Sequence, residues 1–410
     1  MTINCSLRWV VFYLICTSSL VFSWASYSHT RRGVSSSSSL AVATDDLSRE
    51  CRNDNTTDTI GGMNRRSAMI VSSSSSIAAF TAAVWTQPAE AVLPVVPSWT
   101  LEGDVQMPVM ALNTAGLSVG DTERAVTLAA SRGITHVDFH PGRERDGVAN
   151  YLERASVEGT PNQLFLTTKI GMAPKGTSPV EAAQRVAYQI EDDLAILNVK
   201  RVDMLMLRDS PDPKVIQSQW AALERALKAG QTRAIGVINF CEFSLGAVLQ
   251  TCKTKPAVNY CLHHVGMGTD PKGLRSFGES RGIRTFAYGP LGEPGPNKEL
   301  LTSPVLAKIA SNHKVSPERV ALRWIVQTGA AVSVRPTLDF GLGTSACPAG
   351  GACDKGLAER ASTFAWELTD PEMNELSALT SPYDNPTLFS SAGCPDAFGM
   401  KEMMKYLRSN

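Results

Sequence analysis

The feature that most constrains the fold is a regular alternation between short apolar segments and longer segments with helical periodicity. It begins near Met107 and continues to Val334. The short segments are rich in aliphatic and β-branched residues, a pattern that is typical of buried strands. Strands are predicted at 109–112, 136–140, 164–170, 202–207, 233–240, 257–262, 285–288 and 331–334. Helices are predicted between them, at 121–132, 147–157, 179–197, 220–229, 243–252, 273–281 and 317–329.

Eight strand–helix units in this length predict a (β/α)8 TIM barrel, an α/β fold whose working residues lie at the carboxyl ends of the strands. A doubly wound open sheet is the alternative. That fold would place a glycine-rich dinucleotide fingerprint after the first strand, where this chain reads Asn113-Thr114-Ala115-Gly116. The absence of the fingerprint favours the barrel.

Composition excludes some classes of function. The chain has 410 residues, 43% of them hydrophobic, and a formal net charge of zero. Because no basic excess is available to neutralise phosphates, nucleic-acid binding is not expected. Nine cysteines in a chain of this length do not indicate a disulfide scaffold.

The first 91 residues read as three targeting segments in series. Residues 1–26 have a basic residue, an apolar run and a small-residue end, as a signal peptide does. Residues 27–64 are Ser/Thr-rich and transit-like. Residues 65–91 contain Arg65-Arg66, an apolar run and Ala89-Glu90-Ala91, which resembles a twin-arginine lumenal signal.

The series resembles the presequences of thylakoid-lumen proteins in algae with secondary plastids. We therefore expect a plastid protein of the thylakoid lumen, with the plastid stroma or secretion as alternatives. The mature part would hold a barrel at 92–380 and a C-terminal tail at 381–410, with no stable membrane span. A membrane anchor at 69–85 is the competing interpretation of the third segment.

Two charged residues lie near the ends of neighbouring predicted strands, Asp138 in the second and Lys169 in the third. Adjacent strands are separated by about 4.8 Å, so these side chains are expected to form an ion pair inside the barrel. The pair would keep Lys169 charged in an apolar strand. A purely structural ion pair is the alternative.

From about Leu101 to Leu379 the chain resembles the aldo-keto reductases. The most specific segment is Lys228-Ala229-Gly230 followed by Arg233 to Phe240. The other matching segments follow in the family's order: Gly103–Val109, Gly133–Asp138, Leu166–Lys169, Pro256–Asn259, Ala287–Gly292 and Phe364–Thr369. The resemblance implies a (β/α)8 barrel that reduces a small aldehyde or ketone by hydride transfer from NADPH.

The family's catalytic aspartate and lysine correspond to Asp138 and Lys169. Its tyrosine, the proton donor, is expected about five residues after the aspartate, where this chain has Gly142 or Arg143. Its histidine is expected at the end of the fourth strand, where Arg208 stands.

Arg208 cannot replace a proton donor, because the pKa of a guanidinium exceeds 12. His140, two residues after Asp138, could supply the proton near neutral pH. Arg143 and Arg208 could stabilise an oxyanion or hold an anionic ligand. The alternatives are a strand-end histidine with a structural role and arginines in solvated loops.

The resemblance also implies positions that hold the cofactor. Asn239 stands where the family binds the nicotinamide amide, and Tyr288 where it stacks on the ring. Departures are frequent, because Ile238 replaces a serine, Gly356 replaces an arginine and Pro336-Thr337 differ from the family pattern. NADP(H) is the expected cofactor, with binding that could be weak or lost. The remaining predicted contacts are Tyr260, in the usual glutamine position, Leu291 after Tyr288, Arg335 at the 2′-phosphate and Glu359 at the adenine.

The cysteines after residue 91 divide into two groups. Cys347 and Cys353 lie in a Gly/Ala-rich insert, 341–354, and are expected to pair with each other or with Cys394 in an oxidising compartment. Cys241, Cys252 and Cys261 are expected in the core or at the barrel end. No metal site is predicted, since no histidine lies near the first group.

Two functions follow from these patterns. The first is an NADP(H)-dependent reductase with an incomplete set of catalytic residues. The second is a catalytically silent barrel that acts as a binding or structural partner in the lumen, for which the missing tyrosine and histidine are the reason.

Overall fold

The computed structural model describes residues 95–293, 297–337, 347, 351–380, 386 and 394. All of them belong to one compact unit, Val84–Asn410. The predicted targeting segments 1–26, 27–64 and 65–91 lie outside the described residues, as does most of the tail 381–410. Within the described ranges, no helix is long and apolar enough to cross a membrane.

Eight parallel strands close into a barrel, which confirms the predicted (β/α)8 fold. An antiparallel hairpin precedes it, formed by β1 (Ser98–Leu101) and β2 (Val105–Pro108). The last barrel strand pairs with the first, so the sheet has no edge and the open-sheet alternative is excluded. The barrel strands are β3 (Met110–Asn113), β4 (His136–Asp138), β5 (Phe165–Ile170), β6 (Val202–Arg208), β7 (Thr232–Ile238), β8 (Val258–Leu262), β9 (Arg284–Tyr288) and β10 (Ala331–Val334).

Helices surround the barrel, and more of them are present than the sequence pattern predicts. Four short helices, at 297–301, 304–313, 352–361 and 370–377, were not predicted; their apolar residues pack on the outside of the last units. The helices are α1 (Val119–Ser131), α2 (Arg143–Val157), α3 (Pro179–Leu197), α4 (Pro213–Lys228), α5 (Glu242–Leu249), α6 (Leu274–Glu279), α7 (Asn297–Leu301), α8 (Pro304–His313), α9 (Pro317–Gln327), α10 (Ala352–Ala361) and α11 (Asp370–Ser377).

Two predicted strands are too long at their carboxyl ends. The strand predicted to reach His140 ends at Asp138, and the one predicted to reach Phe240 ends at Ile238. Helix α2 also begins four residues earlier than predicted, because Gly142, with φ 93°, turns the chain directly into it. As a result His140 and Asn239 lie in loops at the barrel mouth, and Glu144 lies in the first turn of α2.

Alternation along the strands separates two apolar clusters. In β6, Met204 and Met206 pack inside the barrel, whereas Leu205 and Leu207 pack against the helices. The same period of two directs Asp138 and Lys169 inward. Asp138 and Lys169 therefore lie inside the barrel at its carboxyl end, next to the apolar cluster that fills the barrel interior.

Candidate active site

The predicted ion pair is present at the carboxyl end of the barrel. Lys169 Nζ lies 2.6 Å from Asp138 Oδ1, and both side chains are buried, with exposed fractions of 2% and 0%. Asp138 ends β4, and Lys169 is the penultimate residue of the neighbouring strand β5. Burying either charge alone would be very costly. Each of the two buried charges therefore depends on the other for its stability.

The second oxygen of Asp138 accepts two more hydrogen bonds. Tyr260 donates its hydroxyl to Asp138 Oδ2 at 2.6 Å, and Ser333 donates at 2.8 Å. Asn113 Nδ2 donates to the Tyr260 hydroxyl oxygen at 3.2 Å. Five strands thus contribute to one polar cluster, which we call the Asp138 cluster: Asn113, Asp138, Lys169, Tyr260 and Ser333. Ser333 was not predicted as a site residue, although its place in β10 between the outward-facing Val332 and Val334 indicates an inward side chain.

Protonation within the Asp138 cluster follows from these contacts. Burial alone would raise the pKa of Asp138, but the adjacent Lys169 charge lowers it below its ordinary value. Burial lowers the pKa of Lys169, only partly opposed by Asp138. Burial, and then the negative Asp138, raise the pKa of Tyr260 well above 10. Tyr260 therefore stays protonated and acts as a donor to the carboxylate.

His140 lies beside this cluster and is held by Glu144. Its backbone N–H and its ring Nδ1 both lie 2.9 Å from Glu144 Oε2. Glu144 was not predicted, since it lies in the first turn of α2, a helix that the periodicity places only from Gly147. Burial, together with the nearby Lys169 charge, lowers the pKa of His140.

Arg208 ends β6 at the position where the family's histidine was expected. Burial lowers its pKa, and the largest electrostatic influences that oppose this come from Tyr288, Tyr260 and Asp138. Arg208 is thus a cation at the same barrel mouth as His140 and Lys169. Arg143, by contrast, is exposed at the start of α2.

Three of the predicted cofactor residues follow or end the strands β7 and β9 at the barrel mouth. Tyr288 donates its hydroxyl to Asn239 Oδ1 at 3.0 Å, and the ring of Tyr288 lies 5.0 Å from that of Tyr260. Asn239 has φ 57°, a left-handed conformation that asparagine tolerates better than most residues. Leu291 is buried in the following loop, where its N–H donates to Glu293 Oε2 at 2.9 Å.

The predicted adenosine side contains a second group of charges. Arg335 follows β10 and, with the buried Arg360 of α10, is close enough to Glu293 to affect its charge. Among the described residues, Arg360 Nε and Nη2 have no hydrogen-bond acceptor, and Nη2 is 3.5 Å from Glu318 Oε2. The positive charges of Arg360 and Arg335 suit an anionic group, so the residues present fit the phosphate end of a dinucleotide.

Glu359 is placed differently from the other predicted contacts. It is exposed on α10, and its carboxylate accepts a hydrogen bond from the Ser316 hydroxyl at 3.0 Å. Sequence reasoning did not identify Arg360, the next residue, which is almost completely buried. The sequence signal that could have identified Arg360 is its position as a charged residue on the apolar face of a helix.

The cysteine predictions are partly wrong. Cys347 and Cys353 form a disulfide, one of the pairings that were expected. Cys394 pairs with Cys241, however, and not with the insert, so Cys241 is not simply a core or barrel-end residue. The physical reason is the path of the tail, whose Pro386 carbonyl accepts from the N–H of Leu262 at 3.0 Å, next to the barrel mouth.

A carboxylate near the arginines should make stability depend on pH. Burial raises the pKa of Glu293 from 4.5 to about 7, so the folded protein binds a proton that the unfolded chain releases. The free energy of unfolding should therefore fall as pH rises from about 4.5 to 7. The Glu293→Gln variant should lose most of that slope and gain stability above pH 7, as measured by urea unfolding between pH 5 and 8. The exposed-face variant Glu375→Gln is the control; an equal flattening there would contradict the assignment.

Comparisons with known proteins identify the family of the chain. The sequence profile of the aldo/keto reductase family matches residues 109–338. A 9,11-endoperoxide prostaglandin H2 reductase from Trypanosoma cruzi is 28% identical over 284 residues, covering 68% of this chain and 90% of the relative. A morphine 6-dehydrogenase from Pseudomonas putida is 28% identical over 297 residues, covering 69% and 91%.

A solved structure gives the same architecture. The aldose reductase of Schistosoma japonicum superposes with a TM-score of 0.58 at 21% identity, over 73% of this chain and 97% of that one. At this identity the likeness speaks for the fold alone.

Proposed function

The chain belongs to the aldo/keto reductase family, and from this premise we propose that it is an NADP(H)-dependent oxidoreductase that interconverts a small aldehyde or ketone and its alcohol. The observation that carries the proposal is the buried Asp138–Lys169 pair at the barrel mouth. The pair is linked to the predicted nicotinamide residues through Tyr260, whose hydroxyl donates to Asp138 and whose ring lies 5.0 Å from the ring of Tyr288. Lys169 would stabilise negative charge on the substrate oxygen, and Arg208 would add to that field.

The cofactor supplies the hydride, and this chain's residues would hold it. Asn239, Tyr288 and Leu291 suit the nicotinamide end, and Arg335 with Arg360 suits the phosphate end. Tyr260 takes a different part from the one predicted, because its hydroxyl is directed to Asp138. It orients the carboxylate that holds Lys169 in place.

Cofactor binding tests this proposal directly. NADPH titrated into the full chain should quench tryptophan fluorescence saturably, and a panel of small carbonyl compounds should include one that drives NADPH loss. Arg335→Met should weaken NADPH much more than NADH, because only NADPH carries the 2′-phosphate. Absence of quenching together with absence of turnover would contradict the proposal.

A second candidate function is a silent barrel that binds a protein partner in the lumen. The observation in its favour is that three side chains of its own chain contact the Asp138 carboxylate, so this carboxylate is held in place without a substrate. Nicotinamide-dependent turnover that Lys169→Met abolishes would contradict this function.

We also propose the thylakoid lumen as the place of action, from the ordered targeting segments in residues 1–91. A fluorescent-protein fusion to residues 1–91 should be processed in successive steps, as the three segments are removed, and should follow a lumenal marker. Residues 1–64 alone should deliver the fusion to the stroma. Secretion of either fusion would contradict the assignment.

A further inference from the structure

We propose that His140, held by Glu144, is the proton-transfer group of this site, and that its Nε2 is a base which takes the proton of an alcohol substrate. The inference rests on the proposed function and deepens it, because it names the group that replaces the family tyrosine and the favoured direction of reaction. Glu144 is the positioning residue; His140 is the residue that meets the substrate.

The contacts of Glu144 fix which ring nitrogen carries hydrogen. Its carboxylate receives N–H groups from Gly116 and His140 at 2.9 Å each, and the Thr114 hydroxyl lies 3.1 Å away. Although burial opposes its charge, His140 and then Lys169 lower the pKa of Glu144 to about 2. A carboxylate at neutral pH has no hydrogen to offer, so the 2.9 Å contact requires His140 Nδ1 to be the donor.

The other ring nitrogen is then the reactive one. A neutral imidazole that donates from Nδ1 has an unprotonated Nε2. The His140 side chain is 30% exposed, and Nε2 has no hydrogen-bond partner in the described part of the chain. His140 is close enough to Asp138 and Lys169 for their charges to affect one another, so Nε2 is available to a substrate bound beside the Asp138–Lys169 pair.

The surrounding charges keep the ring neutral. Burial comes first, and the positive Lys169 of β5 and Arg208 of β6 also lower the pKa of His140, while Glu144 of α2 raises it. Asp138 of β4 is already neutralised by Lys169. The net effect is that the pKa of His140 lies below its ordinary value of 6.5. At neutral pH His140 therefore accepts a proton better than it supplies one. The sequence-based expectation of an acid is therefore reversed for neutral pH.

The chemistry balances as an alcohol oxidation. The alcohol O–H bond breaks and its proton goes to His140 Nε2, while the carbinol C–H bond delivers its hydride and electron pair to an oxidised nicotinamide dinucleotide. A carbonyl product results, and the exposed imidazolium releases its proton to water. In the opposite direction the imidazolium is the acid, so reduction requires a lower pH.

Two measurements on the full chain test the inference. Nitrogen-15 NMR of the histidine rings, without cofactor, should show the Nδ1–H tautomer for His140 at pH 7 in the wild type, and a mixture of tautomers in Glu144→Gln. Turnover with NADP⁺ and simple alcohols should rise with pH through the His140 pKa, and carbonyl reduction with NADPH should fall over the same interval. His140→Asn should lose about 10²- to 10⁴-fold in both directions.

Glu144→Gln should lower the turnover rate by about 10²-fold, less than most of the loss expected for His140→Asn. It should also shift the pH dependence of both oxidation and reduction to lower pH, because the negative charge that raises the His140 pKa is gone. The matched control is His313, whose Nε2 lies 2.9 Å from Glu372 with similar exposure, 25% and 14%, on the outer helices. His313→Asn should leave rates and pH profiles unchanged.

The outcomes separate this inference from the function on which it rests. Wild-type turnover that survives His140→Asn, or an Nε2–H tautomer at pH 7, overturns the inference and leaves the oxidoreductase standing. No turnover in either direction overturns both, even when NMR shows the Nδ1–H tautomer.

Discussion

Lys169→Met is expected to abolish nicotinamide-dependent turnover and to destabilise the fold by about 3–5 kcal/mol. The substitution keeps the length of the side chain but leaves Asp138 as a buried, uncompensated carboxylate. The loss of stability should appear in urea unfolding at pH 7. It should shrink at acidic pH, where Asp138 can take up a proton.

Two further variants serve as controls for the Lys169→Met result. Lys308→Met removes an exposed lysine that pairs with Glu375, and it should change stability by about 0–1 kcal/mol. The double variant Asp138→Asn, Lys169→Met removes both charges and should recover part of the stability without recovering turnover. Full turnover in Lys169→Met would show that the pair is purely structural.

The disulfide between Cys241 and Cys394 should contribute more stability than the one inside the insert. It closes a loop with a sequence separation of 153 residues, whereas Cys347 and Cys353 are separated by 6. On the chain-entropy argument, replacing the first pair by serine should cost on the order of 5 kcal/mol, and replacing the second about 2 kcal/mol. Thermal melting of the two double variants, without reductant, measures the difference. Equal losses would show that the tail is held by other contacts.

The barrel and the ion pair were predictable because both follow from short-range pattern. Strand alternation directs Asp138 and Lys169 to the same side, and neighbouring parallel strands bring them within reach of one another. The same rule would have placed Ser333 inside. The structure bears this out at 2.8 Å from Asp138 Oδ2.

The remainder of the site depends on features that periodicity does not contain. Glu144 reaches His140 because Gly142 turns the chain with a positive φ and starts α2 early. Arg360 comes near enough to Glu293 to affect its pKa only after α10 packs against α1 and α9. Such contacts depend on the positions of loops and helix ends in the folded protein. A short stretch of sequence does not specify those positions.

The path of the tail has a practical consequence for working with this protein. Pro386 is hydrogen-bonded to the end of β8, and Cys394 Sγ lies 3.9 Å from the carbonyl oxygen of Asn239. Pro386 and Cys394 therefore lie beside the end of β8 and beside Asn239, one of the predicted nicotinamide residues. A truncation before residue 394 would remove the Cys241–Cys394 disulfide and the contact with Asn239, so an assay of this protein should keep the chain intact to at least that residue.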